Sequence, residues 1–332
     1  MKRILLIRFS ALGDVAMLAP VVREVAKANP DVEFTVLSRP MCEPLFEGLG
    51  ENVKFRGADV KHGEYHSLKG LYKLFRELHQ EHYDIICDMH DVLRTKVLRK
   101  LFRLHGYEVH KINKHRELRK IITAQGDRKQ LRQLPTSFEN YIEALPLSPP
   151  EGGGHNAFVN EGRGAIGIAP FAAHQGKIYP LEKMEEVVKN LNANPNVNII
   201  YLFSAPGKER ELMREWAGKY PNVRLAADEC KDLREELRLM KTLNVMLTMD
   251  SANMHLASLV GTRVISVWGA THPYAGFLGW GQSAEDCIQR DDLPCRPCSI
   301  YGNKPCLRGD MACMQIAPSA IAERVISCIA PD

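Results

Sequence analysis

KRILLIRFSALGDVAMLAP, residues 2–20, decides the fold class. The apolar run Ile4 to Ile7 reads as a buried strand, Gly13 permits a tight turn after it, and Asp14 opens a helix reaching Ala28. A buried strand that feeds a helix through so short a turn is the first half of a β-α-β unit. The residues that follow repeat the pattern: VEFTVL (32–37) reads as a second strand, Ser67–Gln80 as a helix, YDIICDMH (83–90) as a further strand, and a basic helix starts near Asp91. Such alternation argues for a parallel sheet covered by helices on both faces.

Pro146, Pro149, Pro150 and the EGGG of 151–154 interrupt the pattern, and this is where a linker is expected. The alternation then restarts. Strands are expected at AIGIAP (165–170), VNIIYLF (197–203), NVMLTM (244–249) and TRVISVW (262–268), with helices at 181–193, 207–218 and 231–241 and another from about Ser251. A chain of 332 residues is too long for one ordinary core and suits two domains of roughly 150 residues. The expectation is therefore an α/β protein with two Rossmann-like domains facing each other across a cleft.

The composition, 45% hydrophobic and 25% charged, excludes a disordered, collagen-like or coiled-coil chain. No stretch approaches the ~20 apolar residues of a membrane span, and Ile4 to Ile7 is too short for a signal-peptide core, so the protein is expected in the cytoplasm. A net charge of +4 conceals a difference between the halves, with 25 Lys and Arg against 19 Asp and Glu in residues 1–150 and 19 against 21 in residues 151–332. Most of the excess lies in 94–132, where thirteen basic residues meet three acidic ones. A solvated helix face and an anionic partner explain that stretch equally well.

In open α/β sheets ligands bind beyond the carboxyl ends of strands, and three such ends carry signals. The first is RFSALGDVAMLAP (8–20). Its Asp14 is a helix-capping or dipole-favoured charge on the plainest reading, while a carboxylate at a cleft mouth is also well placed as a general base. The second is APFAAHQGKIYP (169–180), whose Lys177 on its own reads as a surface residue and in a cleft could grip a phosphate. Neither initial strand is followed by G-x-G-x-x-G or by a Gly-Lys-Ser/Thr phosphate loop, which argues against ordinary nicotinamide, flavin or P-loop binding. The third is MDSANMHLASLVGTRVISVWGATHP (249–273). Asp250, Ser251, Ala252, Asn253, Met254 and His255 lead into a helix whose first N–H groups form an anion site, and a second strand end delivers Gly269 to Pro273 nearby.

Together these pieces resemble glycosyltransferase family 9, the ADP-heptose:lipopolysaccharide heptosyltransferases. The resemblance is carried by ILLIRFSALGDVAMLAPVVREV (4–25), K-x-Y-P (177–180), D-S-A-x-x-H-x-A-S (250–258) with G-T-x-V-I-S-V-W-G-A-T-x-P after it, and C-M-Q-I-A-P (313–318), in that order. It implies a GT-B architecture: an acceptor-binding domain at 1–148, a linker at 149–162, a nucleotide-sugar domain at 163–315, and a final helix at 316–332 with the option of crossing back to the first domain. It further implies inverting, metal-independent transfer of heptose from ADP-L-glycero-D-manno-heptose to the lipopolysaccharide inner core, by an enzyme peripheral to the cytoplasmic face of the inner membrane. Carried over by position, Asp14 is the general base, with Ser10 and Gly13 beside the acceptor. Lys177 contacts the diphosphate, and Asp250, Ser251, Ala252, Asn253, Met254, His255 and Thr271 hold the donor. Ala252 stands where many relatives have Gly, which leaves the donor less defined. The sequence contains no D-x-D metal motif. Its basic stretch would draw an anionic, lipid-linked saccharide acceptor. Transfer from another nucleotide sugar, or epimerisation of one, are the alternatives on the same architecture.

Four cysteines crowd the tail as Cys295-x2-Cys298-x7-Cys306-x6-Cys313. The first pair has zinc-ligand spacing, so a structural zinc, reduced thiols and a disulfide are all open, with reduced thiols favoured by a cytoplasmic setting. No nucleic-acid partner is expected, because the basic stretch offers only Phe102 and Tyr107 for base stacking.

Overall fold

A computed structural model describes residues 1–147 and 164–329, so the expected linker at 149–162 lies outside the described residues. The chain divides into two compact units, Met1–Lys114 with Ser137–Gly154, and His115–Thr136 with His155–Asp332.

The first unit runs β1 (Lys2–Ile7), α1 (Leu12–Ala28), β2 (Val32–Ser38), β3 (Val53–Gly57), α2 (Leu68–Gln80), β4 (Ile85–Asp88), α3 (Leu93–Leu104) and β5 (Glu108–Lys111). The chain then gives α4 (Arg116–Ile122) to the second unit and returns for α5 (Ser137–Glu143). All strands are parallel, in the order β3-β2-β1-β4-β5. Ile4 to Ile7 are fully buried because β1 is central, and this explains its unbroken apolar run. The order reverses between β1 and β4, whose ends align at Ile7 and Asp88. Helix α1 starts two residues earlier than expected, so Gly13 lies inside its first turn rather than in a turn before it.

The second unit continues with β6 (Ala165–Ala169), α6 (Leu181–Asn192), β7 (Ile199–Leu202), α7 (Lys208–Lys219), β8 (Val223–Leu225), α8 (Ala226–Glu229), α9 (Leu233–Lys241), β9 (Val245–Met249), α10 (Ala252–Leu259), β10 (Arg263–Trp268), β11 (Cys287–Gln289) and α11 (Pro318–Ile326). Its strands are also parallel, in the order β11-β10-β9-β6-β7-β8, with the reversal between β6 and β9. The described part of the tail belongs to this unit. Ile321, Ala322 and Val325 of α11 enter its core, α11 packs against α6, and the Tyr179 hydroxyl donates to Ile316 O at 2.6 Å.

One expectation about charge is corrected. The basic stretch 94–132 does not sit on one domain: its part from His115 onward belongs to the second unit, where the Arg119 guanidinium stacks on Phe277 and donates to the Tyr301 hydroxyl at 2.7 Å. Lys129 donates to Pro297 O at 3.2 Å in the same unit. Counted by units, 19 Lys and Arg face 18 Asp and Glu in the first, and 25 face 22 in the second. Charge density along the sequence was mistaken for charge density in space.

The C-terminal helix is pinned by one carboxylate. Asp286, 1% exposed, receives Arg263 through Nε at 2.9 Å and Nη2 at 3.0 Å, and also accepts from Arg324 of α11. Removing the anion leaves two cations crowded together. Asp286→Ala is expected to cost about 3 kcal/mol in chemical denaturation, and a loss under ~0.5 kcal/mol would show the cluster to be a solvated surface feature.

Candidate functional site

In the first unit the chemistry gathers at the reversal point between β1 and β4. Arg8, the residue after β1, is 5% exposed, and its Nη2 lies 2.8 Å from Asp14 Oδ2. Its Nη1 donates to Met89 O beyond β4, and its guanidinium lies 5.6 Å from the Tyr141 ring centre. The Asp14 carboxylate also accepts the Ala11 N–H at 3.0 Å, and Tyr141 donates its hydroxyl to Asp14 O at 3.0 Å. About a third of the Asp14 side chain is exposed, so a carboxylate fixed by a buried cation still faces solvent.

The β4 end supplies the other wall. Asp88 is fully buried and accepts the N–H groups of His90 at 3.0 Å and Asp91 at 2.8 Å, together with Arg99 Nη1 at 2.7 Å. These bonds shape the turn that places His90 3.4 Å from the Ser10 hydroxyl through Nε2. Burial first, then the charges of Arg8 and Lys114, push His90 down to about 3, so the ring is neutral at ordinary pH. Ser10, Gly13 and Asp14 thus lie on one loop and helix start, with Gly13 buried. Arg8, Asp88, His90 and Arg99 line this candidate site and were missed by sequence reasoning. The available signal was Asp88-x-His90-Asp91 immediately after a buried strand.

In the second unit, Lys177 and Asp250 meet: Nζ lies 2.8 Å from Oδ2, with 14% and 4% of the two side chains exposed. The plain reading of Lys177 as a surface residue is therefore wrong. The lysine is held between strand ends because three loops are stitched together around it. Ala270 N donates to Gly176 O at 2.8 Å, Gly176 N to Gly302 O at 3.2 Å, and Cys298 N to Ala270 O at 3.1 Å. The approach is so close at Gly269 that an added Cβ would lie 2.7 Å from Gly176 O. Arg296, 3% exposed, binds the carbonyls of Gly269, Trp268, Thr271 and Arg290. It fixes the loop after β10 from beneath, and sequence reasoning missed it.

Ser251 stands at the N-cap position of α10 with extended backbone, and its hydroxyl, instead of capping the helix, lies 3.1 Å from that of Thr248. Ser251, Ala252 and Asn253 are partly exposed, which leaves the first N–H groups of α10 open to an anion. Met254 and His255 are buried, and Thr271 is wholly buried with a hydroxyl that has no hydrogen-bond partner among the described residues. A cavity of about 350 Å³ opens beside the loop after β10, lined by His272, Tyr274, Gln289, Arg290 and Arg296 among others.

All nine cysteines are free thiols. Among the described residues no three His, Cys, Asp or Glu side chains are gathered closely enough to hold a metal ion, while Cys295, Cys298, Cys306 and Cys313 lie within electrostatic reach of one another. Burial pushes Cys313 up to about 11. At Cys306 burial raises the pKa, but the amides of Met311, Arg308 and Gly309 outweigh it and hold the thiol below its usual range.

Comparison with known proteins places this geometry. The model of glycosyltransferase family 9 (heptosyltransferase) matches residues 71–304. The lipopolysaccharide core heptosyltransferase OpsX of Haemophilus influenzae is 22% identical over 290 residues, covering 82% of this chain and 80% of that protein. Among solved structures, a family 9 glycosyl transferase from Veillonella parvula matches with a TM-score of 0.73 at 18% identity over 99% of this chain and 97% of that one. The E. coli heptosyltransferase WaaC with ADP matches with a TM-score of 0.67 at 16% identity over 98% and 99%. Those likenesses establish two parallel α/β units of the GT-B kind. Asp14 belongs to the first unit, and Lys177 with 250–255 to the second.

The two depressed histidines set an acid limit. Burial first, then Arg296, lowers His272 to about 4, and its Nδ1 accepts the Tyr274 N–H at 3.1 Å. Below their ordinary pKa of 6.5 the unfolded chain takes protons that folded His90 and His272 refuse. Their contribution is whole above about pH 6.5 and is lost as pH falls toward 4, by up to roughly 1.4 kcal/mol per pH unit for each histidine. Urea denaturation between pH 7 and 4.5 measures this, and His90→Asn and His272→Asn should each flatten the slope.

Proposed function

The chain belongs to glycosyltransferase family 9, the heptosyltransferases, and on that premise we propose that it moves heptose from ADP-L-glycero-D-manno-heptose to the inner core of lipopolysaccharide. The first unit takes the acceptor and the second takes the nucleotide sugar. The observation that carries this division is the solvent-facing Asp14 carboxylate held by buried Arg8 at one reversal point, set against a lysine and an open helix start at the other.

Transfer is a single displacement with inversion. The acceptor hydroxyl gives its proton to Asp14 as its oxygen bonds to the anomeric carbon, while the bond from that carbon to the diphosphate oxygen breaks and ADP carries away the electron pair. Arg8 and the Ala11 amide hold the Asp14 carboxylate in one orientation, so little reorganisation is needed when the proton moves. Ser10 lies beside it, tied to neutral His90.

The leaving diphosphate gains negative charge as the bond breaks. Lys177 and the N–H groups from Ser251 to Met254 meet it, with Asp250 holding the lysine in place and His255 and Thr271 supporting the same loops. No D-x-D motif is present to recruit a divalent ion, and the lysine with the helix start supplies the positive charge such an ion would bring. The acceptor is an anionic, lipid-linked saccharide, reached by an enzyme peripheral to the cytoplasmic face of the inner membrane.

Two measurements test this reading. In a transfer assay Asp14→Asn should lower kcat by about 10²–10⁴-fold with little change in donor affinity, and wild-type turnover should persist in EDTA. Near-normal turnover of the variant, or EDTA inhibition relieved by Mg²⁺, would overturn the base or the metal-free route respectively. In a thermal-shift panel of ADP-, UDP- and GDP-sugars, only the ADP-sugar should stabilise the chain, and Lys177→Ala should abolish that shift. Stabilisation by a different nucleotide sugar would change the donor, and conversion of that sugar without acceptor would make the protein an epimerase.

A further inference from the structure

The outer face of α3 carries two strongly exposed leucines on one stripe. Leu93 is 79% exposed and Leu104 is 71% exposed. They are eleven residues apart, three helical turns, which sets them within about 20° of each other around the axis. The opposite side is fully buried through Thr95, Leu98 and Phe102, so the two leucines point straight away from the core. Lys96, Lys100 and Arg103 share or flank their stripe.

No acidic residue occurs between Leu93 and Leu104, against five Lys and Arg. Arg99 turns inward to Asp88 and Asp91, and Lys96, half-exposed, keeps its Nζ 4.0 Å from Asp91. Arg94 and Lys100 have no carboxylate partner among the described residues. The neighbouring α2 extends the face. It packs beside α3 through Phe75 and Phe102, whose ring centres are 5.0 Å apart, and it exposes Leu68 by 73% and Tyr72 by 50%. Lys69 and Arg76 stand among them, Lys73 beside them is paired with Glu64, and the one acid of α2, Glu77, is taken by Arg56 and Tyr65.

We infer that the paired outer faces of α2 and α3 dock this protein on an anionic lipid bilayer, with Leu68, Tyr72, Leu93 and Leu104 entering the headgroup region between lysines and arginines that contact lipid phosphates. Cations alone would suit any polyanion. Exposed Leu93 and Leu104 on one stripe, with exposed Leu68 and Tyr72 on the neighbouring helix, suit a surface that is negative outside and hydrocarbon beneath. Nucleic acid is a poorer match, since Tyr72 is the one exposed aromatic on these helices and leucine does not stack on bases.

Both helices begin at the carboxyl edge of their sheet, and Leu93 follows two residues after Asp91, so the docking face starts beside the loop that carries His90. The inference rests on the proposed reaction only for what such contact serves, namely reaching an acceptor anchored in lipid. Its test needs neither donor nor acceptor.

The full chain is sedimented with vesicles of phosphatidylcholine alone and of phosphatidylcholine mixed with phosphatidylglycerol, at low and high salt. Binding is expected only to the mixed vesicles and is expected to weaken as salt rises. Lys96→Glu with Lys100→Glu should reduce partitioning at least about tenfold, and Leu93→Ser with Leu104→Ser should weaken it while leaving its salt dependence. Both pairs lie on exposed positions, and unchanged circular dichroism confirms their fold. Lys189→Glu with Lys208→Glu, the same charge change in the second unit, should bind as wild type. Equal binding to both vesicle types, wild-type binding by both α3 variants, equal loss in the second-unit control, or retention by RNA or DNA without vesicle binding would each overturn the inference.

Discussion

A guanidinium inside a sheet has to be answered, and much of the first unit is arranged around that requirement. Arg8 follows four fully buried residues of the central strand, so the sheet itself carries its side chain into the interior. Leaving such a charge unpaired there would cost several kcal/mol. The answer comes from three directions: the carboxylate of Asp14 in the first turn of α1, the carbonyl of Met89 beyond β4, and the ring of Tyr141 from α5. These are distant in sequence, which is why one ion pair organises the start of a helix, the end of a neighbouring strand and the return of the chain after its excursion. Asp14 is therefore part of the framework that holds the unit together, and its partial exposure separates it from an ordinary buried ion pair.

The second unit solves a related problem with the charges reversed in depth. Asp250 is the more buried partner and Lys177 the more accessible, so a cation rather than an anion is left toward the strand ends. The loop geometry explains why glycines stand where they do. At Gly176 an added Cβ would lie 2.7 Å from Gly302 O, and at Gly302 2.6 Å from Lys177 Cγ, so the backbones approach as closely as they do only without side chains. Arg296 fixes the same loops through carbonyls alone, a use of guanidinium donors that neutral side chains of similar length would not reproduce.

How much of this was legible in the sequence follows from where each residue is buried. Central strands β1, β2, β4, β6 and β9 are covered on both faces and announce themselves as apolar runs. Strands β3, β5, β8 and β11 lie toward the sheet edges, are only three to five residues long and are in large part half-exposed, so VKFRG or EVHK carries no such signature. The placement of Asp14, Lys177 and 250–255 beyond strand ends was legible because each follows a recognisable strand. Arg8, His90 and Arg296 were not, because their roles come from pairing across 80 or more residues in the first unit and from a loop-to-loop clamp in the second. The four tail cysteines lie within electrostatic reach of one another, so their crowding in sequence does carry over into space, whatever state their sulfurs take.

The same lesson applies to charge, with a different consequence. A whole acceptor half bearing excess positive charge would attract a membrane over long distances, but partition by units leaves the two balances nearly even. At physiological salt a field fades within about 8 Å, so what matters is not a domain's total but whether its cations stand together at the point of contact. On α3 they do, because the carboxylates at its foot engage Arg99 and, at 4.0 Å, Lys96, and leave Arg94 and Lys100 without a carboxylate partner among the described residues. Attraction of this kind is local and oriented: it acts only once the face is already near a surface, and then it favours one approach of the unit over all others.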